Sequence, residues 1–177
     1  MKHPFQAISQ QALVPTVIAF TAAALAVMIS LRVIDKPLLT DAAPAGILSY
    51  EFAGDEDASL AILQSWDQPA KLSAAFSLGL DFLFLVTYSS AISLACIWAS
   101  GLNKSSLVSL GIYLAWGQWI AALFDGLENT SLFIILLQAP AYPWPQIAQI
   151  AAIIKFTLII LGLVYVLARI IQRYVIR

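Results

Sequence analysis

Hydrophobic and polar positions divide the chain into four long apolar runs separated by three polar breaks. The runs, about 12–33, 73–98, 107–137 and 147–171, are each as long as the ~20 residues a helix needs to cross a ~30 Å hydrocarbon core. Pro15 falls in the first turn of run one, where a proline is tolerated. Ala19, Ala22, Ala23, Ala26 and Ser30 give that run a small-residue stripe suited to close helix packing. Lys2 and the Ala24-Leu25-Ala26 triplet resemble a secretory signal, but Val27-Met28-Ile29 keeps the run apolar for a full span, and it is read as one. The third run would reach roughly 46 Å as a helix, so it is expected to tilt, kink or protrude, with Gly126 as its weak point.

The break over 35–72 is the only sizeable polar segment. Pro37, Pro44 and Gly46 interrupt its start. Ile47 to Phe52 alternates, with Leu48, Tyr50 and Phe52 on one side, which predicts a short extended piece. Asp55 then offers a helix N-cap, with Glu56 and Asp57 favourable in the first turn. That helix is expected to run to about Trp66, with Ile62, Leu63 and Trp66 on its apolar side. An amphipathic helix between two spans lies on the membrane or on the mouth of the bundle, as a connector or as a lid. A short turn over 99–106 contains Gly101, Asn103 and Lys104, and the Pro-rich stretch 139–145 cannot continue a helix. The expected fold is all-α: one integral membrane four-helix bundle over 1–177, with an extramembrane amphipathic helix between spans one and two.

Composition sharpens this picture. Hydrophobic residues make up 61% and charged residues 11% of the 177, with mean hydropathy +0.87. A soluble domain is nearer half apolar and a quarter charged. The net charge of −1 argues against nucleic-acid binding, which uses a basic surface. Cys96 is the only cysteine and His3 the only histidine, so a CxxC redox pair, bis-His haem ligation and a His-rich metal site are excluded. No Gly-rich phosphate loop occurs, and neither a metal nor a cofactor is expected.

Basic residues set an expected orientation. Lys2, Lys104, Arg169, Arg173 and Arg177 lie on the face of the termini, and Arg32, Lys36 and Lys71 on the other. The positive-inside rule puts both termini in the cytoplasm, the 35–72 segment outside, and the chain in a bacterial inner membrane. The glycosylation patterns Asn103-Lys104-Ser105 and Asn129-Thr130-Ser131 then fall in the cytoplasm and within a span, and are read as chance.

Polar residues inside the spans carry the candidate chemistry. Asp125, Glu128 and Asn129 are at i, i+3 and i+4 on one helical face, inside the third apolar run. Counted from the outer ends of their spans, Asp81 lies about 12 Å in, Glu128 about 14 Å and Lys155 about 12 Å. Three spans thus deliver Asp81, Asp125, Glu128, Asn129 and Lys155 to one depth. Three acids against one lysine leave excess negative charge in low dielectric. At least one acid should therefore hold a proton unless Arg32, water or a bound cation compensates. Tyr88 and Gln118 share helical faces with Asp81 and Asp125, and Arg32 hangs at the outer end of its span; these three are secondary candidates. Ionisable groups within a membrane are functional by default. The competing possibility is an ion-paired network that only fixes helix register. Trp116 and Trp119 are read as lipid-facing or packing residues, and Cys96 as a small buried apolar residue.

Tyr50-Glu51-Phe52-Ala53 followed by Ile62-Leu63-Gln64-Ser65-Trp66 is one familiar stretch. Leu80-Asp81-Phe82-Leu83-Phe84 with Tyr88, then Asp125, Glu128-Asn129 and Lys155-Phe156, is another. Together they resemble a group of uncharacterised small bacterial four-span membrane proteins, over most of Glu51 to Phe156. The resemblance implies a fold and no activity.

Three function classes remain open. The first is a polytopic protein whose polar cluster binds a proton, a cation or the polar head of an apolar ligand. The second is an intramembrane enzyme acting on a lipid-like substrate, with Asp125 or Glu128 as acid/base and Lys155 as electrostatic stabiliser. The third is a non-catalytic accessory subunit of a membrane complex. Expected partners are membrane lipid and either an apolar small molecule or a membrane protein.

Overall fold

The structure is a computed structural model and describes residues 2–102 and 107–174. It is 84% helical with no strand among the described residues, which establishes the all-α class. The four long apolar helices are α1 (Gln10–Ile34), α4 (Gln68–Ser100), α5 (Val108–Gln138) and α6 (Trp144–Tyr174). Each is long and apolar enough to cross a membrane. Between α1 and α4 lie two short helices, α2 (Ile47–Glu51) and α3 (Glu56–Ser65). Asn103, Lys104 and Arg177, used above for the turn and the charge count, lie outside the described residues.

The long helices extend past the apolar runs because capping chemistry, not hydropathy, sets their ends. Asp67 Oδ1 accepts the Ala70 N–H at 2.8 Å, so α4 starts five residues before its apolar run. Pro69 sits in the first turn, where no N–H is needed. In the same way α6 begins at Trp144, with Pro145 in its first turn. The turn between α5 and α6 lies ahead of it, and there Ala139 adopts φ 74°. α5 is unbroken through Gly126.

By contact density the chain forms two compact units, each gathering segments of all four long helices. One comprises 25–85 and 123–154 and includes the α2–α3 connector. Its core contains Leu38, Tyr50, Ile62, Leu63, Trp66, Ala74, Leu78, Leu132, Ile135 and Ala148. α3 forms as expected: Asp55 Oδ1 caps the Ala58 N–H at 2.7 Å. Ser59, Ile62, Leu63 and Trp66 are buried at i, i+3, i+4 and i+7. The extended piece expected over Ile47–Phe52 is instead helical. The buried set there is Ile47 (partly), Tyr50 and Glu51, a helical i, i+3, i+4 pattern, while Phe52 is exposed. Gly46, at φ 61°, permits the sharp turn into it. The Tyr50 hydroxyl donates to the Leu132 carbonyl at 3.1 Å, and Trp66 Nε1–H donates to the Leu38 carbonyl at 3.0 Å. The two rings meet edge to face at 5.2 Å. Gln149 Nε2 donates to the Phe52 carbonyl at 3.0 Å, and Gly54, with φ 76°, leaves room for that amide where a Cβ would collide. The connector is thus fastened to its unit at several points.

The second unit comprises the chain up to Ala24, Val86–Ala122 and the chain from Lys155 on. Leu13, Leu94, Cys96, Ile97, Ala99, Ala115 and Tyr165 form its core. Side chains reach across to neighbouring backbones. Ser93 Oγ donates to the Ala115 carbonyl at 3.0 Å, and the Tyr165 hydroxyl to the Leu107 carbonyl at 3.1 Å. Arg169, 1% exposed, donates through Nε to the Ala99 carbonyl at 3.4 Å in the last turn of α4. A buried cation there adds a second donor to a carbonyl that also accepts the Leu102 N–H at 3.2 Å, and it sits at the negative end of the helix.

Candidate functional site

α5 presents Asp125, Glu128 and Asn129 on one face, with 1%, 0% and 3% of their surfaces exposed. α4 brings Asp81, half-buried, alongside. Asn129 Nδ2 donates to Asp81 Oδ2 at 2.6 Å and to Asp125 Oδ1 at 3.4 Å. The first is short and charge-assisted, and the second is at the long limit of a hydrogen bond. One side-chain amide, with its two N–H donors, therefore joins carboxylates from two spans. Two carboxylates on the same atom also fix the amide orientation, since its oxygen would repel both. The Asp81 exposure makes it the accessible member, with Asp125 and Glu128 enclosed. Among the described residues no three His, Cys, Asp or Glu side chains are grouped as metal ligands.

Of the remaining sequence candidates, Lys155, Gln118 and Tyr88 fall in the other unit and Arg32 in the last turn of α1. Lys155 is 6% exposed, with Nζ 4.9 Å from the Phe156 ring centroid. Gln118 is fully buried, and its amide donates to the Leu158 carbonyl at 2.9 Å and the Leu114 carbonyl at 3.3 Å, tying α5 to α6. Tyr88 is 5% exposed. Arg32 is exposed, in the last turn of α1.

Two polar features escaped the sequence. The first is Asp35, immediately after α1. It occupies the N-cap position of a 3-10 turn, Lys36–Leu38, yet its side chain does not cap. It accepts a hydrogen bond from Ser77 instead; burial raises its affinity for a proton, and the Ser77 bond and the Arg32 charge oppose that. The only hint in the sequence was an acid placed where an apolar run ends. The second is a cage around His3. The imidazole is 2% exposed and packs edge-on against Trp116 and Trp119, each at 4.8 Å, and at a tilt against Phe5 at 5.0 Å. Nδ1 accepts the Phe5 N–H at 3.2 Å, and Nε2 lies 3.2 Å from Ser93 Oγ, whose proton goes to the Ala115 carbonyl. That pattern assigns the neutral tautomer with the proton on Nε2, and burial lowers the pKa of His3. No local periodicity could have paired residue 3 with residues 93, 116 and 119.

No protein-family model, curated protein or solved structure matches the chain.

Proposed function

We propose that this small polytopic membrane protein uses Asp81, Asp125, Glu128 and Asn129 to hold a positively charged species, a proton at rest or the cationic head of an apolar ligand. The observation that carries this is the Asn129 amide joining carboxylates from two spans, at 2.6 and 3.4 Å. A structural network would match each acid to a base. Here three acids, Asp81, Asp125 and Glu128, stand well inside the apolar runs, as does one base, Lys155, while Arg32 and Arg169 stand within two residues of the ends of theirs. Three carboxylates gathered on two neighbouring spans concentrate negative charge in an apolar medium, which favours a cation among them. The half-buried Asp81 supplies its way in. The same proposal places the chain in a bacterial inner membrane with both termini cytoplasmic, from the excess of basic residues on that face.

The test is an infrared titration of the lipid-reconstituted protein between pH 4 and 9. A protonated-carboxyl band should persist at neutral pH and be reduced in Asp81→Asn or Glu128→Gln. A parent protein with no such band at any pH would end the proposal.

A further inference from the structure

Asp35 sets a problem that packing does not solve. An aspartate at an N-cap position ordinarily turns its carboxylate onto the backbone N–H groups that follow, and this one does not. One of its oxygens accepts from Ser77, and Oδ1 is buried without a hydrogen-bond partner among the described residues. A buried carboxylate oxygen left bare is destabilising and asks for a reason. Its chain neighbours border a cleft that Asp35 and Ser77 do not themselves line. An open groove of about 560 Å³ is lined by Val33, Ile34, Pro37, Leu72, Ser73 and Phe76. Ile34 adjoins Asp35 in the chain, and Phe76 adjoins Ser77. Along α4, Ser73, Ser77 and Asp81 recur every four residues, so the lining of the groove, the partner of Asp35 and the accessible acid of the cluster follow one helical face. Ser77 is 3% exposed, so its hydroxyl faces the protein rather than lipid. Asp81 is bonded in turn to Asn129, and Asn129 to Asp125.

We propose that Asp35 and Ser77 form the outer station of a proton path that runs along this face of α4 to the Asp81–Asn129–Asp125 cluster. The path rests on the cluster being a proton site. A proton arriving through the groove is taken up by the Asp35 carboxylate. Once protonated, Asp35 becomes the donor to Ser77 Oγ, and the Ser77 hydroxyl turns from Asp35 toward Asp81 and releases its own proton inward as it takes the one from Asp35. Ser77 and Asp81 stand about one helical turn apart, roughly 6 Å along the axis, and the proposed path crosses between them through one bridging water. The Asp81 carboxylate accepts there, so one proton enters and one is delivered, with no charge left on the serine. Besides Ser77 on α4, the charge that bears on Asp35 is Arg32, from the last turn of α1, which keeps the carboxylate ready to release.

The experiment is a pH jump on lipid-reconstituted protein, followed through the part of the carboxyl band that Asp81→Asn removes. Asp35→Asn and Ser77→Ala should keep the amplitude of that signal and slow its approach at least fivefold, and Asp35→Glu should restore the rate. Slowing of less than fivefold in both variants overturns the path while leaving the cluster proposal intact. Absence of the band in the parent overturns both. Should Asp35→Asn fail to fold, Ser77→Ala against Ser77→Thr, which keeps a hydroxyl, decides the question by the same fivefold criterion.

Discussion

Replacing Asn129 by leucine removes the one amide that joins α4 to α5 through Asp81, at nearly constant side-chain volume. The 2.6 Å bond to Asp81 Oδ2 carries most of the effect, because the 3.4 Å bond to Asp125 Oδ1 is at the edge of the hydrogen-bonding range. A hydrogen bond to a charged group contributes about 1.5–3 kcal/mol in water-soluble proteins. Interhelical hydrogen bonds in membranes average about 0.6 kcal/mol and reach about 1.7. The charge on the acceptor argues for the upper end and the half-exposure of Asp81 for the lower, so the expected coupling is roughly 1–2 kcal/mol. A double-mutant cycle isolates it, with Asn129→Leu, Asp81→Leu and the double variant unfolded reversibly in mixed micelles. Asn129→Leu should be the worst of the three, since it leaves Asp81 beside an alkyl chain, and adding Asp81→Leu should recover part of the loss. A coupling below about 0.5 kcal/mol, within the additivity expected of independent sites, would refute the view that this amide holds the two acids together.

Two further predictions concern the ends of the molecule. Neutral His3 is the form that its cap and cage accept, and burial lowers its pKa below the ordinary 6.5. The unfolded chain therefore binds more protons just below pH 6.5, and stability from this site is complete above that value and lost as pH falls through the folded pKa. Asparagine can still cap Phe5 but cannot titrate there, so His3→Asn should lose less stability than the parent between pH 7.5 and 5; equal losses would remove His3 as the cause. Reporter fusions at Asp57 and at the C-terminus should report opposite sides of the membrane, and two cytoplasmic signals would overturn the orientation proposed from Lys2, Lys104 and the C-terminal arginines.

Four helices were legible in the sequence because hydrophobic runs of membrane length leave the backbone few alternatives. Their ends were less so. Asp67 and Pro69 start α4, and Pro143 to Pro145 precede and open α6, through local polar chemistry that a hydropathy pattern passes over. The Asp55 cap was legible because a cap is a local rule. Ile47–Phe52 was misread because six residues fit period two almost as well as period 3.6, and only the contacts of Tyr50 with Leu132 and Trp66 decide between them. In the site, the shared face of Asp125 and Asn129 followed from spacing, and the shared depth of Asp81 followed from counting turns. Asp35 was not recognised, because its meaning lies in Ser77, 42 positions on, and in the cap it declines to make.

The anchoring of the connector has a consequence for how the chain is made. Tyr50 is fastened to the carbonyl of Leu132, Phe52 to Gln149, and Glu56 to Gln146 at 3.2 Å. All three anchors are synthesised after the groups they hold. At ~5–20 residues per second of translation, the ~80–100 intervening residues take roughly 4–20 s. Throughout that interval Tyr50, Ile62, Leu63 and Trp66 have no finished surface to rest on. The nascent protein must carry an undocked amphipathic segment until its last helix has been inserted. A chain truncated before Gln146 should therefore fail first in this connector, and should be cut there by proteases that leave the completed protein intact.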